Sequence, residues 1–363
     1  MRISAAVSYG ADSSVVIHDL EIEPPSPDEV LVRLVASGIC HTDLVAKRLF
    51  QPGNPVVLGH EGAGVVESVG DAVHGVAVGD HVLMSFQSCG SCDSCHANAP
   101  AYCALFGALN MTGFRPDGSS PLRRGSEPVA GAFFGQSSFA THALVTPRNL
   151  VVVDKDVDLV ACSPFGCGMQ TGAGAVVNVL RPDATSKLVV FGAGGVGMAA
   201  IMAARATGVE TVIAVDVNPT RLKTAEELGA TAVVDGSSTD LRDRLRALTG
   251  GGATHAIDTT ASETIIKHAV AALASQGELV LLGVGAPELQ IDALSLIRGG
   301  KSIRGSIEGD ADPKTFIPKL LAWYHDGRFP VENVIRTYPF AKVHDAFADL
   351  ASGDVIKPVL VFD

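Results

Sequence analysis

Hydrophobic positions change their rhythm about halfway along the chain. Before Cys167 the apolar residues come in short β-branched runs bounded by turn residues. VLVRLVASGI (30–39), EGAGVVESVG (61–70) and GDHVLMSF (79–86) read as strands. The stretch 107–135 is rich in Gly, Ser and Pro and reads mostly as loop. Beyond Cys167, continuous apolar strands alternate with helical runs. LVVFGAG (188–194) leads into VGMAAIMAARATG, TVIAVD (211–216) into PTRLKTAEELGA, and TAVVD (231–235) into LRDRLRALTGG. HAIDTT (255–260) precedes a helical run over 262–275, and ELVLLGVG (278–285) closes the series. Such strands with helices between them form a parallel sheet covered on both faces. The last residues lose the alternation: helix FIPKLLAWYHDG, strand IRTYPF, helix KVHDAFADLASG and a final strand KPVLVFD. That strand is expected to rejoin the first sheet-rich region, making the parallel sheet an insertion.

The fold class is therefore α/β. The chain has 363 residues, too many for one typical core, so two domains are expected. We place a β-rich domain at 1–168 and 309–363, and a doubly wound parallel-sheet domain at 169–308. Mean hydropathy is high at +0.30, yet Gly, Pro or charge interrupts every apolar run before membrane-spanning length. The strongest run, 188–204, carries four glycines and reads as a buried strand, turn and helix. MRISAAVSYGADSS lacks the apolar segment of a secretory signal, which points to a cytoplasmic, reducing setting. Net charge is -12, with no Lys/Arg block, which argues against nucleic-acid and membrane partners.

The glycines bring in the first chemistry. Gly192, Gly194 and Gly197 form G-x-G-x-x-G between a strand and a helix, with Gly195 in the same turn. The first glycine permits the tight turn, the second lets backbone approach a pyrophosphate, and the third lets helix and strand pack closely. The helix N-terminus offers free N–H groups and positive dipole character to phosphate. Asp216 ends the next strand, near the roughly 20-residue spacing of a ribose-binding carboxylate. A carboxylate there repels a 2′-phosphate, so NAD is favoured over NADP. The competing reading is a Gly-rich turn without a cofactor.

Seven cysteines add metal chemistry. Cys89, Cys92, Cys95 and Cys103 stand as C-x2-C-x2-C-x7-C, which suits a closed, tetrahedral structural Zn2+. An iron–sulfur run would place its fourth Cys after three residues, followed by Pro; here the interval is seven and Ala104 follows. A redox disulfide cluster is the other rival. Catalytic zinc takes three protein ligands and keeps an open position. Cys40 in SGICHTD, His60 in GHEGAG and Cys167 in PFGCGMQTGAG are candidates, although spacing alone does not single them out. Cys162 is left over and reads as a small buried hydrophobe.

These motifs, in this order and over essentially the whole chain, resemble the zinc-dependent medium-chain alcohol dehydrogenases. FFGQSSFATHALV (133–145), IEGDADPKTFIPKLL (307–321) and IKPVL (356–360) look most like the bacterial aryl-alcohol (benzyl-alcohol) branch, with geraniol-type enzymes similar. The resemblance implies a GroES-like catalytic domain beside a Rossmann domain, two Zn2+ per chain, NAD, and a homodimer or homotetramer. It implies oxidation of primary aromatic or allylic alcohols to aldehydes. Terpene or aliphatic alcohols are the alternative substrates, and a non-catalytic NAD- and zinc-binding protein is the alternative class.

By the same resemblance, Cys40, His60 and Cys167 hold the catalytic zinc, Thr42 hydrogen-bonds the substrate oxygen, and Asp43 orients His60. Glu61 lies beside the metal, either as a participant or as a buried structural carboxylate. Thr171 and Val196 are expected at the nicotinamide, Leu282 and Val284 at its carboxamide, and Arg221 at the adenosine ribose. His41 and Lys357 are expected at the pyrophosphate. Two positions depart from liver-type relatives: Val45 replaces a proton-relay histidine, and Ser85 replaces an aromatic pocket wall, leaving room for a ring-bearing substrate.

Overall fold

A computed structural model describes residues 1–10, 14–50, 53–285 and 288–363. The chain divides into two compact units. The first comprises Met1–Cys167, Asp312–Lys319 and Ile335–Asp363; the second comprises Gly168–Ala311 and Leu320–Val334. The sequence pattern had kept 320–334 with the first domain. In the structure the turn Val331–Val334 packs on the helix Gly195–Ala206, which draws that segment into the second unit.

The first unit holds two sheets. One runs Leu150–Val153, His81–Met84, Glu61–Val69, Val30–Gly38, Lys357–Val361 and Ile335–Pro339, with His142–Val145 also paired to Val30–Gly38. The other contains Arg2–Ser8 and Val16–Ile22, flanked by the short strands Val56–Val57, Leu122–Arg124 and Glu127–Val129. Val30–Gly38 is buried at nearly every position, as its apolar run requires. It pairs antiparallel with Glu61–Val69, Gly38 lying opposite Glu61. Cys40 and His60 stand just beyond the same end of that pair, so strand register alone brings two distant residues together. The final strand Lys357–Val361 pairs antiparallel with the other edge of Val30–Gly38. A core of Val30, Leu34, Ile39, Phe133, Phe139 and Leu360 packs beneath.

In the second unit all strand pairs are parallel. Their spatial order is Ala232–Asp235, Thr211–Asp216, Lys187–Phe191, Ala253–Asp258, Leu273–Leu281 and Ser302–Gly305. The first strand in sequence, Lys187–Phe191, is central, and succeeding strands build outward on either side. The order therefore reverses at its C-terminal end, the place where open α/β sheets bind ligands. Val189, Phe191, Ile213, Ile266 and Leu279 form this unit's core.

Two local features differ from the sequence pattern, and a third lies where it assigned no element. The helix expected over 262–275 ends at Ala272, and Leu273 already pairs with Ala253. Gln276, in left-handed conformation (φ 62°), then shifts the register before His255 meets Glu278. Within 107–135, Leu122–Arg124 and Glu127–Val129 pair as a small hairpin. Gly168–Gly174 is helical and continues as a π-helix over Ala175–Leu180. The sequence pattern assigned no element here; the glycines let this helix press against Gly195–Ala206.

Candidate active site

The sulfur, nitrogen and carboxylate atoms of Cys40, His60, Glu61 and Cys167 lie within 4.8 Å of one another, all buried, in the first unit. Three elements deliver them, with His60 and Glu61 adjacent at the start of one strand. Cys40 precedes the helix His41–Leu49, His60 precedes the strand Glu61–Val69, and Cys167 follows the turn Ser163–Gly166.

Asp43 ties two of these together. One of its oxygens accepts from the Cys40 N–H (2.9 Å), and the other accepts from the Gly59 N–H (3.1 Å) and from His60 Nδ1 (3.0 Å). With Nδ1 engaged, His60 Nε2 is buried and has no hydrogen-bond partner among the described residues. An orphaned buried imidazole nitrogen is costly unless something binds it. Two thiols beside it supply the rest of a zinc-type donor set, and a carboxylate on the far nitrogen is the usual support of a ligating histidine. The residues fit a metal. Burial alone would lower the His60 pKa, but Asp43 overrides it and holds the imidazole well above its ordinary value. The neighbouring Cys167 holds the Cys40 thiol well below its ordinary value, against burial.

Behind the cluster Lys357 Nζ donates to both Glu61 oxygens (2.9 and 2.8 Å) and to the Ile39 carbonyl. Both side chains are essentially excluded from solvent. Burial pulls the Lys357 pKa down, but Glu61 and the thiols raise it above the ordinary value. Burial raises the Glu61 carboxyl, with Lys357 opposing. The pair depends on Gly38: a Cβ there would stand 2.1 Å from Glu61 Oε2. The resemblance implied Lys357 at a pyrophosphate; in the structure its ammonium is engaged by Glu61. Sequence reading missed this because partners almost three hundred residues apart leave no local signal.

The other first-unit positions are placed as follows. Thr42 Oγ1 lies 3.8 Å from Cys40 Sγ. His41 is exposed at the start of its helix, and Val45 is half-buried in the same helix. Ser85 is fully buried and donates to the Gly166 carbonyl (2.6 Å), so it braces the backbone beside Cys167. Phe133 and Phe134, which the sequence did not single out, both pack on His60, with centroids at 5.6 and 4.6 Å.

The cysteine lobe is a separate group. Sγ–Sγ distances are 3.6 Å for Cys92–Cys95, 3.9 Å for Cys89–Cys95 and 4.0 Å for Cys92–Cys103. Disulfides are far shorter, whereas a tetrahedron with Zn–S bonds of about 2.3 Å has edges of about 3.8 Å. Backbone N–H groups of Ser91, Ala104 and Leu105 point at the sulfurs. The Ser91 N–H and hydroxyl pull the Cys89 thiol down to about 5, while burial pushes Cys103 up to about 11. The residues fit a closed metal site.

In the second unit the glycine turn has the shape its motif requires. Gly192 is left-handed (φ 92°), and a Cβ on Gly197 would stand 1.8 Å from the Gly192 carbonyl oxygen. Gly194 caps the helix Gly195–Ala206, and a Cβ there would meet open space. Asp216 accepts from the Ala193 and Asn218 N–H groups, so it also shapes the turn. Val196 and Arg221 are half-buried near the starts of their helices, and Leu282 N–H bonds the Asp258 carbonyl. Val284 is exposed. Thr171 Oγ1 donates to Glu308, a partner the sequence did not mark.

One unit thus carries two metal-type donor sets and the other a dinucleotide-type glycine turn. Residues 26–155 match the alcohol dehydrogenase GroES-like domain, and residues 195–325 match the zinc-binding dehydrogenase domain. A geraniol dehydrogenase from Castellaniella defragrans is 41% identical over 362 residues, 99% of this chain and 97% of that protein. The chain belongs to the zinc-dependent alcohol dehydrogenase family. Among solved structures, an alcohol dehydrogenase zinc-binding domain protein from Burkholderia ambifaria matches with a TM-score of 0.97 and 44% identity, over 100% of this chain and 99% of that one. The benzyl alcohol dehydrogenase of Acinetobacter calcoaceticus matches with a TM-score of 0.95 and 40% identity, over 100% of both chains.

Proposed function

We propose that the protein oxidises primary alcohols whose carbinol carbon adjoins a π system, benzyl alcohol foremost, to aldehydes with NAD. The observation that carries the reading is the buried Cys40–His60–Cys167 donor set, with His60 Nε2 unsatisfied and Asp43 on its other nitrogen. The bound groups would supply Lewis acidity that acidifies the alcohol hydroxyl, and an acceptor for hydride. The chain's part is to place them. Cys40, His60 and Cys167 hold the catalytic zinc, Asp43 fixes the His60 tautomer, and Thr42 takes the substrate's hydrogen bond. Cys89, Cys92, Cys95 and Cys103 hold a second, structural zinc. The turn Gly192–Gly197 and the helix behind it receive the pyrophosphate, Asp216 and Arg221 the ribose, and Thr171, Val196, Leu282 and Val284 the nicotinamide end.

The likeness to the Acinetobacter benzyl alcohol dehydrogenase supports the aromatic substrate. Likeness to the Castellaniella geraniol dehydrogenase favours a second reading, an allylic terpene alcohol. Both classes share an aldehyde product stabilised by conjugation. The two readings separate in kcat/KM for benzyl alcohol, cinnamyl alcohol, geraniol and ethanol under one set of conditions. Ring-bearing alcohols are expected to lead; a lead for geraniol moves the substrate assignment, and a lead for ethanol overturns the class. A homodimer or homotetramer is proposed through Ser302–Gly305, one of the two edge strands of the parallel sheet, which follows a helix that exposes Leu294 and Ile297. Light scattering tests it, and a monomer would contradict it.

A further inference from the structure

We propose that Gln136 and Ser85 are positioning residues for the metal cluster, forming a buried polar clamp that fixes His60 relative to Cys167. The inference rests on the reading of that cluster as a metal site. Gln136 is fully buried and uses both ends of its amide. Its Nε2 donates to the His60 carbonyl (3.0 Å) and to the Ser85 carbonyl (3.1 Å), and its Oε1 accepts from the Gly62 N–H (3.1 Å). The hydroxyl of Ser85 then donates to the carbonyl of Gly166, the residue before Cys167 (2.6 Å). Two ligands more than a hundred residues apart are thereby joined through two side chains, without either ligating atom being used.

The loop that delivers Gln136 is strained. Phe134 and Ser137, on either side of it, are left-handed at φ 52° and 47°. For residues with a Cβ this conformation is unfavourable and persists only where surroundings enforce it. Here the enforcement is visible. Ser137 Oγ donates to the Val57 carbonyl and accepts from the Phe133 N–H, and Phe134 lies against the His60 ring. A loop meant only to connect strands has no need of this shape. Its result is an amide aimed at the backbone of one ligand and a ring packed on that ligand's imidazole. Buried networks of this kind rigidify only when every member is satisfied, so removing the amide should loosen the whole clamp.

The test uses the zinc-loaded full chain, with Gln136→Met and Ser85→Ala. Chelator-driven zinc release is followed in two phases, the cysteine lobe serving as internal control. The cobalt-substituted protein gives the ligand-field spectrum of the catalytic cluster. Release from the catalytic cluster is expected to quicken by about 10-fold or more in Gln136→Met, less in Ser85→Ala, with a shifted cobalt spectrum. Lobe release and circular dichroism should stay as in the parent. Should Gln136→Met fail to fold, Ser85→Ala carries the test alone. Release and spectra matching the parent in the folded variants would overturn the clamp. A parent that holds no metal at the cluster would instead overturn the metal reading on which it rests.

Discussion

At the residue scale the metal-type cluster is a set of buried groups in which His60 Nε2 has no hydrogen-bond partner among the described residues. Replacing Cys167 by Ser removes a proposed zinc ligand while altering volume little. Turnover should fall below about a thousandth of the parent rate, with NADH binding and circular dichroism retained; retained turnover would remove Cys167 from the site. Lys357→Met strands the Glu61 carboxylate in a solvent-free pocket. Breaking one side of a buried pair typically costs about 3–5 kcal/mol, which urea unfolding would measure. A loss below about 1 kcal/mol would mean that Glu61 finds another partner. The set Cys40, His60 and Cys167 was legible only through the family resemblance, because three donors scattered over more than a hundred residues leave no spacing signal. The sequence did not carry Lys357–Glu61, Gln136 or the stacking of Phe134, since each depends on strands that meet only after folding.

At the element scale the parallel sheet was legible from alternation alone, because a strand buried on both faces has to be continuously apolar. Helix ends were less legible: Ala272 gives way to strand where Gln276 takes a left-handed turn, a choice made by pairing with Ala253 and not by helix propensity. The glycine turn separates folding from binding. Gly197→Ala sets a Cβ against the Gly192 carbonyl and should destabilise by about 1–3 kcal/mol. Gly194→Ala meets open space, so stability should hold within about 0.5 kcal/mol. The same methyl obstructs a close approach of phosphate and should weaken NADH binding by about tenfold, the worth of one charge-assisted backbone hydrogen bond. Equal NADH affinity in Gly194→Ala and parent would place the dinucleotide elsewhere.

At the scale of the whole molecule, no described helix is long and apolar enough to cross a membrane. Acid should destabilise the fold through its half-buried imidazoles. Burial holds the His255 pKa below its ordinary value, against Glu278 and Asp183. The unfolded chain therefore takes up that proton first. The stability His255 contributes is complete above about pH 6.5 and is lost as pH falls through the folded value. His255→Gln should show a smaller drop in Tm between about pH 7 and about pH 5.5 than the parent; an equal drop would assign the acid sensitivity to other groups. Catalysis is proposed to reside at Cys40, His60 and Cys167. NADH formation from benzyl alcohol, measured while a chelator strips the protein in steps and zinc per chain is counted, tests this most directly. Turnover should vanish as zinc falls from about two per chain to about one, with the cysteine lobe still filled. Undiminished NADH formation at one zinc per chain would contradict the assignment of chemistry to Cys40, His60 and Cys167.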